Sequence, residues 1–190
     1  MKIAQQIVGV NQRLGNTAVP NMQGTTRIIY DTRAATGANQ TLTYFTGVSS
    51  RLYPLANINQ NKFEVGESLA IQGFSIFAYT TADPTLATNL APFLGLALDM
   101  NAILNFYIGN QRVIKDIEIG NFGALTLGEN SVQAGTAPPS IFRLETPVVI
   151  PPQIEFYATV RIDSSGSQAT RSFVLTAFGQ GTLLNTKSNF

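Results

Sequence analysis

The sequence predicts an all-β protein, folded as one antiparallel β-sandwich of about eight strands. Segments of alternating polar and apolar residues recur along the chain and are separated by turn residues, which is typical of such sandwiches. Hydrophobic residues make up 44% of the 190 residues, enough for a substantial core. The length suits a single domain, because sandwiches of this size usually fold as one unit.

The first 24 residues are predicted to form an arm outside the sandwich. They show no sustained period of 2 or 3.6 residues, and Pro20 and Gly24 interrupt a stretch rich in Gln, Asn, Gly and Thr. The spacing of Ile3, Ile7 and Val8 allows a short helix near its start. The expected organisation is therefore an arm over residues 1–24, a sandwich domain over 25–184 and a tail over 185–190.

The first strands are predicted at residues 27–31 and 41–45, with a turn at 37–39 between them. Residues 63–81 form the first long β segment. After an interruption at Gly66, both sets of alternating positions are largely apolar, which predicts either a central strand covered on both faces or a twisted strand that passes from the core to an interface. The strict alternation places Leu69, Ile71, Gly73, Ser75, Phe77 and Tyr79 on one face, and Ala70, Phe74, Ile76 and Ala78 on the other.

The middle of the chain contains a helical pattern followed by a hairpin. Apolar residues repeat at helical spacing before residue 100, so either a short helix over 90–100 or a buried apolar loop is expected. Residues 103–108 and 111–119 flank Gly109 and Asn110, which tolerate the positive φ of a tight hairpin turn. A short strand at 125–127 is predicted to follow.

The last strands lie in the final third of the chain. Residues 141–144 form a short strand, whereas the three prolines in 147–152 exclude that segment from a central position, because proline gives no hydrogen bond to a ladder. Residues 172–178 form the last strand, before Gly179 and Gly181. The clearest half-buried strand is 153–162, whose inward residues are predicted to be Ile154, Phe156, Ala158, Val160 and Ile162.

The composition restricts the chemistry available to the chain. It contains no His, Cys or Trp, which excludes imidazole and thiolate catalysis and the usual zinc sites. Twelve basic and eleven acidic residues give a net charge of +1, which argues against dense neutralisation of phosphates. The 15 Asn and 12 Gln outnumber the charged residues, and amides cost less than charges to bury. The composition favours a structural subunit of a larger assembly.

No catalytic, cofactor-binding or metal-binding residue is predicted. Asp116 and Glu118 share a strand face and could bind calcium. The favoured interpretation is that both are solvated carboxylates beside Arg112 and Lys115. Glu145 and Glu155 flank the proline-rich corner and could form the carboxylate pair of a hydrolase, in which Glu155→Gln would abolish activity. Ordinary exposed carboxylates are favoured here as well, so no enzyme and no small-molecule substrate are expected.

The basic residues near the N-terminus offer weak contact with a nucleic acid. Residues 1–33 contain one acidic residue, Asp31, and four basic residues, so their net charge is +3. The basic residues are Lys2, Arg13, Arg27 and Arg33. If the arm lined the interior of a particle, these cations could contact genome phosphates. Solvation or contact with a neighbouring subunit is the favoured interpretation of so few charges.

Three aromatic residues lie in or near predicted loops. Tyr44, Phe45 and Tyr53 could stack on sugar rings if they were exposed. In a sandwich, aromatic residues at such positions more often close the end of the core, and we favour that role.

The order of the elements resembles the single jelly-roll virion and capsid proteins of bacteriophages. The resemblance rests on residues 69–79, 144–162 and 173–183, with Pro151 and Pro152 introducing the final strand pair. It implies a jelly-roll sandwich with an extended arm, forming a capsid or vertex subunit of the virion. It also implies assembly with copies of itself and with other virion proteins, and it supplies no catalytic residues. The alternative is a receptor- or glycan-binding sandwich module, such as a spike, fibre or lectin-like domain.

Overall fold

The computed structural model describes residues 22–35, 39–46, 55–58, 60–79, 101–119, 140–163 and 171–184. These residues contain eight strands. In chain order they are β1 (Met22–Ala35), β2 (Gln40–Tyr44), β3 (Ser68–Tyr79), β4 (Asn101–Ile108), β5 (Gln111–Glu118), β6 (Ser140–Ile150), β7 (Phe156–Asp163) and β8 (Arg171–Leu184).

The strands form two four-stranded antiparallel sheets. The first has the order β1-β8-β3-β6 and the second the order β2-β7-β4-β5. The pairs β1–β8, β2–β7, β3–β6 and β4–β5 are nested within one another, as in a single long hairpin wound into two layers. This is the topology of a jelly roll. The predicted all-β, antiparallel jelly-roll sandwich is therefore confirmed.

The core lies between the two sheets and is built around phenylalanines. Phe74 of the first sheet and Phe106 of the second are 5.6 Å apart between ring centroids, so they link the layers directly. Phe156 lies 6.2 Å from Phe106 and 4.9 Å from Phe63, which precedes β3. Each such buried ring contributes roughly 2–3 kcal/mol of hydrophobic stabilisation.

Strand β3 departs from the predicted alternation at Gln72. The register with β6 and with β8 shifts between Ile71 and Gly73, which marks a bulge. Leu69 and Ile71 face the core before the bulge, and Phe74 and Ile76 face it afterwards. The predicted assignment of Leu69, Ile71, Gly73 and Ser75 to one face is therefore wrong, because one extra residue reverses the alternation.

Glycines permit the close approach of β3 and β8 at this bulge. A Cβ atom on Gly179 would lie 1.9 Å from the carbonyl oxygen of Ala70. On Gly73 it would lie 2.5 Å from the carbonyl oxygen of Phe142 and from Cζ of Phe178. Neither position has room for a side chain, so the bulge depends on both glycines.

The predicted hairpin and the clearest predicted strand are both confirmed. Strands β4 and β5 meet at Gly109, whose φ is +55°, as the tight turn requires. In β7, the inward residues Phe156, Ala158, Val160 and Ile162 are buried. The strand begins at Phe156, so the prediction was wrong for residues 153–155, and Ile154 is only half-buried. The alternation of β7 is unbroken because it pairs regularly with both of its neighbours, β2 and β4.

Strand β6 joins two segments that the sequence separated. It runs through Pro147 and lies at the edge of the first sheet, where a missing N–H is tolerated. Four residues, 144–147, stand opposite Gln72 alone, so the proline falls in an irregular part of the ladder. This agrees with the prediction that the proline-rich segment is not a central strand.

Strand β1 begins at Met22, so residues 22–24 pair with the last strand β8. Several predicted features lie outside the described residues: residues 1–21 of the arm predicted over 1–24, the helix over 90–100, the strand over 125–127 and the tail over 185–190. Within the described part of the chain, no helix has the length and hydropathy needed to cross a membrane.

Candidate interaction surfaces

One outer face of the sandwich has no charged side chain on three of its four strands. The residues of β1, β3 and β8 that point away from the core are small, polar or apolar, and we call this surface the charge-free face. It consists of Thr26, Ile28, Tyr30 and Ala34 of β1, Ala70, Gly73 and Ser75 of β3, and Val174, Thr176, Phe178 and Gln180 of β8. The three β3 residues are buried, so the accessible part of the face lies on β1 and β8.

The centre of the charge-free face combines small residues with one large ring. Ile28, Phe178 and Gly73 lie side by side across three paired strands. The ring of Phe178 approaches the position where a Cβ atom of Gly73 would stand. Ile28 is 52% exposed. An apolar residue with that exposure, beside a partly exposed ring, gives the face an apolar area that extends from the edge strand β1 onto β8.

Among the described residues of the first sheet, outward charges lie on the edge strand β6. Arg143 and Glu145 are exposed, and neither forms an ion pair within the described residues. Ile141, two residues before Arg143, is 37% exposed. Leu144 packs against the core cluster, so Arg143 and Glu145 point away from it. The first sheet thus combines an uncharged centre with one pair of opposite rim charges.

The outer face of the second sheet has a different character. The rings of Tyr107 and Tyr157, which are cross-strand partners on β4 and β7, stack with centroids 4.5 Å apart at an angle of 6°. Arg161 and Glu118 add charges to this side, next to Ile103. This face therefore resembles an ordinary mixed, solvated surface with one aromatic platform.

A polar cluster on β4 and β5 lies near the stacked tyrosines. The Asp116 backbone N–H donates to Oδ1 of Asn105 at 2.9 Å, and Arg112 donates to the same atom at 3.3 Å. Arg112 also lies 3.4 Å from the Asp116 carboxylate. Asp116 has a φ of 52°, where an Asn or Asp residue is tolerated best, and these bonds hold it there.

The free edges of the two sheets carry features that discourage pairing with another strand. Along β1, Asn57 donates to the carbonyl oxygens of Tyr30 and Ile28, and Ala56 forms a bridge with Asp31. Strand β2 has only five residues, β5 has an irregular register, and β6 contains Pro147. Such features protect natural sheet edges. The faces of the sandwich are thus better suited to association than its edges.

Two arginines predicted to belong to a basic N-terminal region are paired with carboxylates. Arg27 lies 2.8 Å from Glu67 and 4.3 Å from the ring centroid of Phe63. Arg33 lies 3.0 Å from Asp31, which is buried. Because their charges are neutralised locally, neither arginine supports the phosphate contact considered for this region. Lys2 and Arg13 lie outside the described residues.

Tyr44 and Phe45 belong to the core, as favoured from the sequence, and are not exposed for sugar stacking. The Tyr44 hydroxyl donates to the carbonyl oxygen of Phe173 at 3.4 Å. Burial, together with the negative charge of Asp31, raises the pKa of Tyr44 well above 10. Tyr53 lies outside the described residues.

The carboxylates considered for chemistry are exposed in the structure. Asp116 is paired with Arg112, as the favoured interpretation expected, and Glu118 is exposed beside it on β5. Glu145 and Glu155 are also exposed. Among the described residues, no three acidic side chains come together as metal ligands. The arrangement of these groups offers surface charge rather than an enclosed reaction site.

The charge-free face was not anticipated from the sequence. A signal was present, because residues 68–82 and 172–186 contain no Asp, Glu, Lys or Arg. What could not be read was that β8 lies between β1 and β3, which joins these uncharged segments into one surface.

Comparisons with known proteins give only distant likenesses. No protein-family model matches, and no curated protein matches the sequence significantly. The chain is similar to a chain of the cyanophage Pam1 capsid asymmetric unit, with 14% identity, a TM-score of 0.38, and coverage of 84% of this chain and 86% of that chain.

A second solved structure, of infectious bursal disease virus (Gx strain), matches with 13% identity and a TM-score of 0.32. The match covers 88% of this chain and 33% of that chain. The jelly-roll fold is identified by the strand order of the two sheets and does not depend on these likenesses.

Proposed function

We propose that this chain is a structural subunit of a viral particle, a capsid or vertex protein of a bacteriophage that assembles with copies of itself and with other virion proteins. The observation that carries this proposal is the charge-free face. Three strands of the first sheet direct only uncharged residues outward. The centres of protein–protein interfaces are depleted of charged residues in the same way.

The contrast between the two outer faces supports an assembly role. Arg161 and Glu118 charge the second sheet, whereas charges on the first sheet lie at its rim. A monomer has no need to keep one whole face uncharged, since Lys and Glu on exposed strands favour solubility. A subunit that buries one face against a neighbour gains from removing charges there, because burying an unpaired charge is costly.

The composition points in the same direction. Amide side chains outnumber charged ones, 27 to 23. Amides donate and accept hydrogen bonds and can be buried between subunits at lower cost than charges. We therefore propose a non-enzymatic protein located in the virion, with no cofactor and no small-molecule substrate.

Native mass spectrometry of the full chain tests this proposal. At low and at moderate salt we expect a closed homo-oligomer, because contacts through an uncharged face do not weaken as salt rises. A variant lacking residues 1–21, which leaves β1 intact, measures what the arm adds to assembly. A monomer of the full chain at every salt concentration would contradict the proposal.

A glycan-binding module is the second candidate, because one observation favours it. The parallel tyrosine rings of Tyr107 and Tyr157 lie on an outer face, beside the exposed Arg112, the cross-strand partner of Tyr107. Aromatic faces of this kind stack on sugar rings. On a glycan array we expect saturable binding that Tyr107→Ala abolishes, while Tyr44→Phe, in the core, leaves it unchanged. Absence of binding to any glycan would eliminate this candidate.

A further inference from the structure

We propose that the charge-free face is a two-fold interface between two copies of this chain, in which Arg143 of each copy lies against Glu145 of the other. This inference rests on the proposed function and specifies which surface is buried and how the copies are oriented. Such an interface has two requirements. The face must expose apolar residues, and the charges on its edge strand β6 must pair with those of an identical copy.

The apolar pair on β1 and β8 meets the first requirement. Ile28 and Phe178 are neighbours across these two strands, whereas Gly73, next in the row on β3, is buried. Ile28 is the most exposed of the large hydrophobic residues on this face. Covering it with the same surface of a second copy removes apolar area from water without burying any charge.

The rim meets the second requirement. Arg143 and Glu145 lie two residues apart on the edge strand. Both are exposed and neither has an ion-pair partner within the described residues. A two-fold axis that crosses β6 at Leu144, perpendicular to the strands, exchanges the two positions. Each arginine then faces a carboxylate of the other copy, and two ion pairs form.

The same axis also brings the apolar row onto itself. Arg143 is in register with Gly73, Gly73 with Phe178, and Phe178 with Ile28. An axis that passes beside Arg143 therefore passes beside Phe178 and Ile28, so each of these residues meets its own counterpart. One symmetry operation therefore pairs the charges on β6 and also places the apolar row against its own copy, as an isologous contact requires.

A second copy is favoured over an unrelated partner because the charge pattern is self-complementary. A partner of one charge sign would match only one of the two rim residues. An added edge strand is disfavoured as the mode of contact, since Pro147 and the irregular ladder disrupt β6.

The first experiment places a charge on the apolar pair formed by Ile28 and Phe178. Ile28→Lys should lower the association constant at least tenfold in sedimentation velocity of the full chain. Ile103→Lys is the matched control, since Ile103 is a 36% exposed isoleucine on the outer face of the other sheet, and it should leave association unchanged. Equal loss of association in both variants, or in neither, would overturn the proposal.

The second experiment tests the orientation of the two copies and does not depend on substitutions at the centre. Arg143→Glu and Glu145→Arg should each weaken self-association, because like charges then face each other. A one-to-one mixture of the two variants, one of them isotopically labelled, should give mixed dimers in native mass spectra. The double variant should associate like the unmodified chain.

The outcomes separate the two proposals. An unmodified chain that is monomeric contradicts both the assembly function and the interface. An oligomer that tolerates Ile28→Lys, or single charge variants that show no preference for each other in the mixture, contradicts the interface alone.

Discussion

At the scale of single residues, the absence of a side chain is as important as its presence. Gly179 faces the carbonyl oxygen of Ala70 at a distance that no Cβ atom can occupy. Gly24, near the start of the same sheet, has no heavy atom within 4 Å of the corresponding position. These two glycines look equivalent in the sequence, but only one of them is required by the packing of neighbouring strands.

Gly179→Ala should therefore destabilise the protein by about 3 kcal/mol or more, because β3 and β8 must move apart. Gly24→Ala is the control and should change the free energy of unfolding by less than about 1 kcal/mol. Urea unfolding followed by circular dichroism measures both. A small effect of Gly179→Ala would mean that the bulge at Gln72 adjusts readily.

Tyr44 couples the stability of the core to alkaline pH. Its pKa in the folded state is raised above 10 by burial and by Asp31, so the folded state retains the phenol proton where the unfolded chain loses it. This contribution to stability is complete below pH 10. It decreases as the pH rises from 10 towards the folded-state pKa.

Tyr44→Phe should remove that part of the pH dependence. At neutral pH the variant should lose about 1 kcal/mol at most, since the hydrogen bond to Phe173 is long. Thermal unfolding at pH 8, 10 and 11 measures the effect, with Tyr107→Phe on the outer face as the control. If the unmodified chain and Tyr44→Phe lose stability equally above pH 10, another group is responsible.

At the scale of the elements, one polar cluster joins the two sheets. Asp31 on β1 accepts hydrogen bonds from the side chain of Arg33 and from the backbone N–H of Phe45, which follows β2 in the other sheet. Arg33 also donates to the Thr46 hydroxyl at 2.6 Å. The cluster therefore fixes the point at which the chain passes from the first sheet to the second.

Arg33→Ala should cost about 3–5 kcal/mol, because it leaves the Asp31 carboxylate buried without its cation. Arg112→Ala, which breaks an exposed ion pair, is the control and should cost at most about 1 kcal/mol. Chemical denaturation of both variants tests this difference. Equal small losses would show that the other partners of Asp31, among them the backbone N–H of Phe45, suffice to stabilise its charge.

At the scale of the whole molecule, the nested strand pairs determine how the chain must fold. Met22 lies opposite Leu184, so the pair that completes the first sheet joins residues from nearly opposite ends of the sequence. Among the described strand pairs, β4–β5 alone is a local hairpin. Loops must close over long separations before most of the sheet hydrogen bonds form.

Refolding should accordingly be slow, with a main phase of roughly milliseconds to seconds. Stopped-flow fluorescence of the six tyrosines measures the rate of this phase. A double-jump protocol removes the slow phases that arise from isomerisation of the nine prolines. A main phase of microseconds after a double jump would be inconsistent with a rate limited by non-local pairing.

The sequence by itself determined the strand-rich fold class, the β4–β5 hairpin and the inward residues of β7. These depend on local alternation and on the turn preference of Gly109, which adjacent residues express directly. Only the tertiary structure decided the bulge at Gln72 and the pairing of Arg27 with Glu67. It also decided that β1, β3 and β8 share one uncharged face. These features depend on which strands become neighbours, and a period of two residues carries no information about a partner more than a hundred residues away.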